Sequence, residues 1–373
     1  MAPLRSTIGR SFGKLLGLSR GRDLPGTGSG GAAKDSQLNS RYYGARARTV
    51  ENATPISASG GTQFEIGDYT YHLFKAPGTF TVSDGPLSAE CEVVALGGGA
   101  SAGYFYGDGG GAGGGLYAPT YPLSPGPYTI AIGEGGATHS GSNQEGNVGG
   151  ATEFYPTPAG PGEGANCMYA RGGGGGGFKQ AEPHPAPGSG FPWNPLSGTG
   201  SGGGQHNGST PQITPNFPTS TQHPAVTNKY SARGGDISYY TSAGAGGAGI
   251  IGGGETNEAS CASCGGQGQP FPNFPGPGMY DAMPSPEQSA FGGTTWRDTL
   301  GPSGNVGGGG AGWNPGHPAT RSTGGGGNGG PNGPTECDAI NYTGSGGGVS
   351  DGSAAGAGGD GLVWIRYETT PSG

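Results

Sequence analysis

Cys261-Ala-Ser-Cys264 is the pair of side chains best spaced for chemistry, since two thiols in a C-x-x-C can close a redox disulfide or supply half of a zinc site. A zinc site needs two further ligands at close spacing, and none follows. Cys337 is far off in sequence, and His72, His139, His184, His206, His223 and His317 include no His-x₃₋₅-His pair. The five cysteines are spaced too irregularly for a disulfide framework, so Cys261 and Cys264 read as a loop thiol pair. Gly348-Val-Ser-Asp-Gly352 fits the nucleophile pattern G-x-S-x-G in letters only, without the strand-to-helix turn that activates the serine. Runs of the form G-x-G-x-x-G recur because glycine is everywhere, and no βαβ unit surrounds them. Asp and Glu are scattered over loops, so no pair can be assigned to glycan cleavage. Arg171-Gly-Gly and Arg233-Gly-Gly are isolated, whereas RNA-binding segments of that type are basic and repetitive. The expectation is a protein that is not an enzyme, with no metal, no cofactor and no nucleic-acid partner.

The elements that position every side chain are therefore the question, and they start from glycine. About nine glycine tracts recur between Gly97 and Gly361, the purest being residues 171–178, RGGGGGGF. Glycine loses more freedom on ordering than any other residue, roughly 0.5–1 kcal/mol beyond alanine. A tract without side chains can be ordered only through its peptide groups, each of which carries a donor and an acceptor that need partners. An extended three-fold helix turns these groups outward, so several such helices can pack side by side when nothing larger than hydrogen projects between them. The tracts are expected to form this polyglycine II arrangement. There is no strict Gly-X-Y period, which excludes collagen.

Composition limits the alternatives. Only 30% of residues are hydrophobic and 11% charged, which leaves too little apolar surface for an ordinary core in 373 residues and transfers the burden to backbone pairing, aromatic packing or partner chains. No run of about 18 apolar residues suits a membrane span, and the apolar patch at 15–18 is too short for a signal-peptide core. Charge divides the chain in two. Residues 1–50 hold nine of the 17 Lys and Arg but only two of the 25 acids, a net +7 that leaves −15 on the remainder. The basic part predicts an arm that docks on an acidic partner, and the acidic part argues against nucleic-acid binding by the glycine region. Within residues 1–22, Ile8, Phe12, Leu15 and Leu16 fall on one helical face, with Arg5, Arg10 and Lys14 elsewhere around the wheel. A hinge at 26–33 separates this short helix from a second basic stretch at 41–48.

From Phe64 the pattern changes to period two. Tyr69, Tyr71 and Leu73 alternate with Thr70, His72 and Phe74, and Lys75-Ala-Pro-Gly78 is expected to turn the chain into Thr79-Phe-Thr-Val82 as a hairpin. Further strands are expected at 90–96, 127–132 and 362–367, the first two running into glycine tracts and the last emerging from one. The expected fold class is all-β: a β-strand cap or sandwich combined with packed polyglycine II-type helices and a short helical N-terminal arm. Two domains follow, a basic arm at 1–50 and a glycine-rich body at 51–373. Pro- and aromatic-rich inserts interrupt the body at 178–233 and 265–300, carrying nine and six prolines among their aromatic residues. Most of these aromatics are expected to fold back and shield the lattice, although rings on stiff loops also suit sugar or protein edges.

The blocks YHLFKAPGTFTV (71–82), CEVVALGGGASAG (91–103), LSPGPYTIAIGEGGA (123–137), GNVGGATEF (146–154) and GGDGLVWIRY (358–367) resemble, in order, the glycine-rich domain of tail-fibre and other virion proteins of marine bacteriophages. The resemblance covers about residues 64–367 and leaves out the arm and the long inserts. It implies a virion appendage protein at the tail or capsid surface, most simply a tail fibre or tip that binds a host glycan or outer-membrane protein. Trp193, Tyr239, Tyr240, Trp296 and Trp313 are the receptor-contact candidates. The arm, through Arg5, Ile8, Arg10, Phe12, Lys14, Leu15 and Leu16, would anchor the chain to another virion protein. Capsid or tail-surface decoration is the alternative, and an extracellular glycine-rich matrix protein a third, which the arm disfavours. Exposed edges on an acidic body with little core predict a homo-oligomer, a trimer before others.

Overall fold

The computed structural model describes residues 55–85, 89–104, 107–138, 145–161, 164–177, 222–230, 264–273, 277–290, 304–313, 324–329, 337–349 and 355–369, with short pieces at 205–206, 236–237, 293 and 297–298. The basic N-terminal segment, with the residues expected to anchor it, Arg5, Ile8, Arg10, Phe12, Lys14, Leu15 and Leu16, lies outside them. Nine strands follow one another in the first half: β1 (Ser57–Ser59), β2 (Thr62–Ile66), β3 (Tyr69–Phe74), β4 (Gly78–Asp84), β5 (Glu90–Leu96), β6 (Gly115–Pro122), β7 (Gly126–Ala131), β8 (Thr152–Pro156) and β9 (Met168–Ala170). Then come β10 (Gln205–His206), β11 (Asn228–Tyr230), β12 (Asp236–Ile237), β13 (Gln269–Pro270), the helices α1 (Pro277–Ala282) and α2 (Ser285–Ala290), β14 (Asn305–Val306) and β15 (Leu362–Glu368). The fold is all-β. One antiparallel sheet runs β1-β4-β7-β8-β9 and a second β11-β6-β5-β15-β3-β2, with β13-β14 as a small antiparallel pair and β10-β12 as a parallel one.

The two large sheets face each other, and the alternation of side chains along their strands makes the core. Val93, Ala95, Val363, Ile365 and Tyr367 point from the second sheet toward Phe80, Val82, Tyr128, Ile130, Phe154 and Met168 of the first. The intervening residues Val94, Leu96, Leu362 and Trp364 point the other way, where Phe271, Met279, Tyr280 and Met283 of the second insert cover them. This explains why β5 and β15 carry long apolar runs: both of their faces are buried. The apolar content is therefore sufficient for an ordinary sandwich core, contrary to the expectation from composition, because it is concentrated in these strands and absent from the glycine tracts.

The expected hairpin at 75–78 is corrected. β3 and β4 belong to different sheets, and the turn between them carries the chain across the sandwich. The hairpin is one step earlier, β2 with β3, where Phe64 pairs with Tyr71 around a turn holding Gly67 at φ 59°. The two helices were likewise outside the sequence expectation, which placed helix only in the arm.

The tracts that grow out of the strands bond laterally. Along residues 97–103, Gly97, Ala100 and Gly103 donate to Gly114, Gly111 and Asp108 at 2.8–3.0 Å. Gly98 and Ser101 donate to Gly150 and Asn147, both at 2.9 Å, while Gly99 and Ala102 donate to Gly359 and Gly356 at 2.9 and 3.1 Å. Each third residue thus addresses the same neighbour, and the three neighbours run antiparallel. Carbonyls of the same tract accept from Gly173 and Gly176, from Gly136 and from Gly347. A three-residue bonding period with partners on several sides differs from a strand, which bonds in one plane. The packing leaves no room for carbon. A Cβ on Gly99 would run into the Ser345 carbonyl oxygen, and one on Gly173 into that of Gly111.

A candidate contact end on the glycine lattice

Six lattice tracts are continuous with six sandwich strands: 97–103 follows β5, 108–114 precedes β6, 132–138 follows β7, 145–151 precedes β8, 171–177 follows β9 and 355–361 precedes β15. Their hydrogen-bond registers put one end of every tract at the sandwich. Gly97 bonds to Gly114, Gly114 to Arg171, Gly98 to Gly150 and Gly361 to Gly133 there. The other ends are likewise gathered. Gly103 bonds to Asp108, Asp108 to Gly177, Gly146 to Gly176 and Gly356 to Gly348. The tract 307–313 reaches the same end, with the Trp313 amide 3.4 Å from the Gly107 carbonyl oxygen and the Val349 amide donating to Ala311 at 3.0 Å. The segments that leave from this far end are 104–107, 139–144, the first insert from 178, 314–323, 330–336 and 350–354. The sandwich thus holds one end of a bonded bundle, and the chain between tracts departs from the other.

Trp313 is the one receptor-contact candidate among the described residues. It is half-buried and packs against a small apolar cluster of Ala102, Val349 and Ala355 at the far end. Trp193, Tyr239, Tyr240 and Trp296 lie outside the described residues, so the structure neither brings them to Trp313 nor separates them from it. Along the lattice flank the side chains face out at every third residue, Glu134 with Ala137 and Glu145 with Val148. Val148, 67% exposed, is the one large apolar residue that is exposed rather than buried or half-buried among the described residues.

Of the insert aromatics that are described, Phe271 and Tyr280 are buried against the sandwich and Tyr230 meets Phe271 edge-on at 4.9 Å. These shield a sheet, whereas the expectation was that they would shield the lattice. Cys264 is disulfide-bonded, which corrects its reading as a thiol, and Cys91, Cys167 and Cys337 are buried and outside any disulfide.

Two polar groupings escaped the sequence reading. On the insert-covered face, Arg366 Nη1 donates to Glu92 Oε2 at 3.0 Å, Asn273 Nδ2 reaches both Glu92 oxygens at 3.1 and 3.2 Å, and the guanidinium lies 3.7 Å over the Tyr69 ring. Desolvation raises the Glu92 carboxyl above its ordinary range, and it pushes the neighbouring Tyr117 phenol up to about 12. Inside the sandwich, His72 is fully buried between Gly60 and Tyr367. Their one sequence signal was a charged or imidazole side chain inside an apolar strand pattern: Glu92, His72 and Arg366 each interrupt one.

The model of the glycine-rich domain family matches residues 75–368. No curated protein matches the chain.

Proposed function

The chain belongs to the glycine-rich domain family, and from that premise we propose that it is a non-enzymatic virion appendage protein, a tail fibre or tip that contacts a host-surface glycan or outer-membrane protein. The observation that carries this reading is the common far end: six strand-rooted tracts stop together, and the loops between them depart from one place. In this reading the tracts are polyglycine II-type helices. Such a bundle is held at every third residue by bonds worth roughly 1 kcal/mol net each, so it supports long loops without taking part in what they bind. Rigid scaffolds that present variable loops are a recurrent design for recognition. Trp313, half-buried beside the loop roots, is the described residue placed for such contact, with Trp193, Tyr239, Tyr240 and Trp296 as further candidates.

Anchoring falls to the arm, whose apolar face of Ile8, Phe12, Leu15 and Leu16 docks on another virion protein while Arg5, Arg10 and Lys14 steer it. The chain acts as a homo-oligomer, a trimer before others, which light scattering of the full chain tests: a monomer at micromolar concentration removes the oligomer. The basic arm also fits a second reading, decoration of the capsid or tail surface. Copy number per particle separates the two. A handful of copies, together with purified protein that competes with particle adsorption, is the result expected for a fibre or tip; hundreds of copies spread over the shell, without competition, would overturn it in favour of decoration.

A further inference from the structure

Both rims of the sandwich are closed by a neutral histidine. At one rim the chain crosses between the sheets from β1 to β2 through Gly60 and Gly61, and His72 of β3 reaches back to this crossing. Its Nδ1 lies 2.8 Å from the Gly60 carbonyl oxygen. A carbonyl only accepts, so Nδ1 carries the proton, and in the neutral ring Nε2, 3.0 Å from the Tyr367 hydroxyl, accepts from it. Phe80 stands edge-on to the ring at 5.1 Å, and Tyr367 stacks on it at 5.6 Å. Tyr367 is the titratable group that touches His72. Cys91 of β5 and Glu65 of β2 act through space on that same hydroxyl, and no carboxylate or cation among the described residues acts on the imidazole itself.

The opposite rim repeats the device. Gln222 lies along the edge strand β9 as a further strand would: the Tyr169 amide donates to its Oε1 at 2.8 Å, and its Nε2 donates to the Tyr169 carbonyl at 3.0 Å. The next residue, His223, donates its amide to Cys167 at 3.0 Å, and its Nδ1 accepts the Ala225 amide at 3.1 Å. That nitrogen is therefore unprotonated. The ring rests on Tyr121 at 4.2 Å, with Tyr128, Cys91 and Cys167 as the other titratable groups around that phenol. Ala225 and Val226 pack on the core beyond it, and the segment ends in β11, the edge of the second sheet.

We propose that His72 and His223 are acid-released latches: a proton taken up at His72 Nε2 and His223 Nδ1 opens the β1–β2 crossing and the 222–230 segment, while the lattice stays closed. At His72 the proton turns an acceptor into a donor facing Tyr367 and sets a cation in a fully buried site. At His223 it removes the acceptor of the Ala225 amide. The bonds that the amides of 97–103 donate to neighbouring tracts all run to peptide carbonyls and have no such dependence. Burial holds both imidazoles below their ordinary value of 6.5. With the folded value depressed, the stabilisation is present above 6.5 and is lost as pH falls through the folded value. Opening bares β3 and β4 on one side and β9 and β6 on the other, and bare edges accept strands from other chains.

Amide hydrogen exchange on the full chain between pH 7.5 and 5, corrected for intrinsic rates, tests this. Protection at 57–66 and at 222–230 is expected to fall at least tenfold while that of 97–103 is unchanged. His72→Gln and His223→Asn, which keep hydrogen-bonding groups but do not titrate, are each expected to abolish the response at their own rim. The proposal is overturned for any rim whose protection is flat over this range, or whose response survives loss of its histidine. Should a variant fail to fold, the wild-type imidazole resonances decide: a ring that titrates at or above 6.5, or apart from the opening of its rim, overturns the latch.

Discussion

Trp364 and Gly99 are both buried, and they stand for two ways of filling an interior. Around Trp364 the sandwich is held by side chains, and its cohesion rises with the apolar area each removes from water. Around Gly99 the lattice is held by peptide groups, and its cohesion depends on nothing lying between them. The two regions share strands: β5 carries Val93 to Leu96 and then becomes Gly97 to Gly103 without a break in the chain. What changes is the number of planes in which the backbone bonds, from one in the sheet to several in the lattice. The rule for a harmful mutation inverts accordingly. In the sandwich, removing carbon does the damage; in the lattice, adding it does.

The largest expected effect tests that inversion. Gly99→Leu sets a side chain against the Ser345 carbonyl, and neither partner is the free end of a flexible group, so the tracts must separate and several bonds break together. A loss of more than about 5 kcal/mol, in the far tail for single substitutions, is expected. Gly164→Ala, at a turn where a Cβ meets nothing within 4 Å, should stay within about 0.5 kcal/mol. Thermal melts of the two variants check this, and equal midpoints would remove the lattice argument.

Next comes the sandwich counterpart. Phe154 is fully buried between Tyr121 at 4.9 Å and Tyr128 at 5.4 Å. Phe154→Ala deletes most of a ring and should cost about 3–5 kcal/mol by chemical denaturation. The comparison is sharpened if this deletion costs less than the addition at Gly99, and broken if the order is reversed.

The Glu92–Arg366 pair probes the face where side chains and insert meet. Both side chains are about one-tenth exposed, 11% and 10%. Glu92→Ala leaves the guanidinium and Asn273 without their acceptor, for an expected loss of about 3 kcal/mol. Replacing both charged residues by apolar ones of similar size should recover part of it, measured by the same denaturation series. No recovery would mean that Glu92 acts through Asn273 and the insert instead of through Arg366.

How much of this was legible in the sequence follows from which force acts where. Strands β5, β7 and β15 and their continuation into glycine were readable within a residue or so, because period-two apolar runs and bare tracts are local signals. The false hairpin at 75–78 came from the same signal. Alternation says that Phe74 and Phe80 are buried, and both are in one cluster, but it does not say that they arrive there from opposite sheets. The two helices are six residues each and stand on tertiary packing through Met279, Tyr280 and Met283, which no window of sequence contains. A faint signal existed in Ser285-Pro-Glu287, a cap residue, a proline and an acid in the order that opens a helix. Of the contact end, composition showed that loops alternate with tracts. Only the registers showed that they depart from the same place.

The smallest expected effect concerns how the second insert is tied to the sandwich. Lys75, in the turn between β3 and β4, donates to Glu287 Oε2 of α2 at 3.0 Å, with side chains 25% and 34% exposed. The hydrogen bond from Lys75 holds the Glu287 carboxyl below its ordinary 4.5. For a lowered carboxylate the stabilisation is present above the unfolded value and disappears as pH falls through the folded one, so it belongs to neutral pH and is gone in acid. Water screens a pair this exposed, and two long side chains must be ordered to form it, so a double-mutant cycle of Lys75→Met and Glu287→Gln should give a coupling of about 0.2–1 kcal/mol at pH 7. The coupling should fall as pH drops through the lowered value of that carboxyl and vanish once it is neutral. The insert has a stronger hold in Met279, Tyr280 and Met283, all buried on the sheet. Loss of the ion pair should therefore leave hydrogen exchange across α1 unchanged. If the charge pair alone released the helix, the insert would be held by electrostatics, and the division between a side-chain-packed sandwich and a backbone-bonded lattice would no longer describe this face of the molecule.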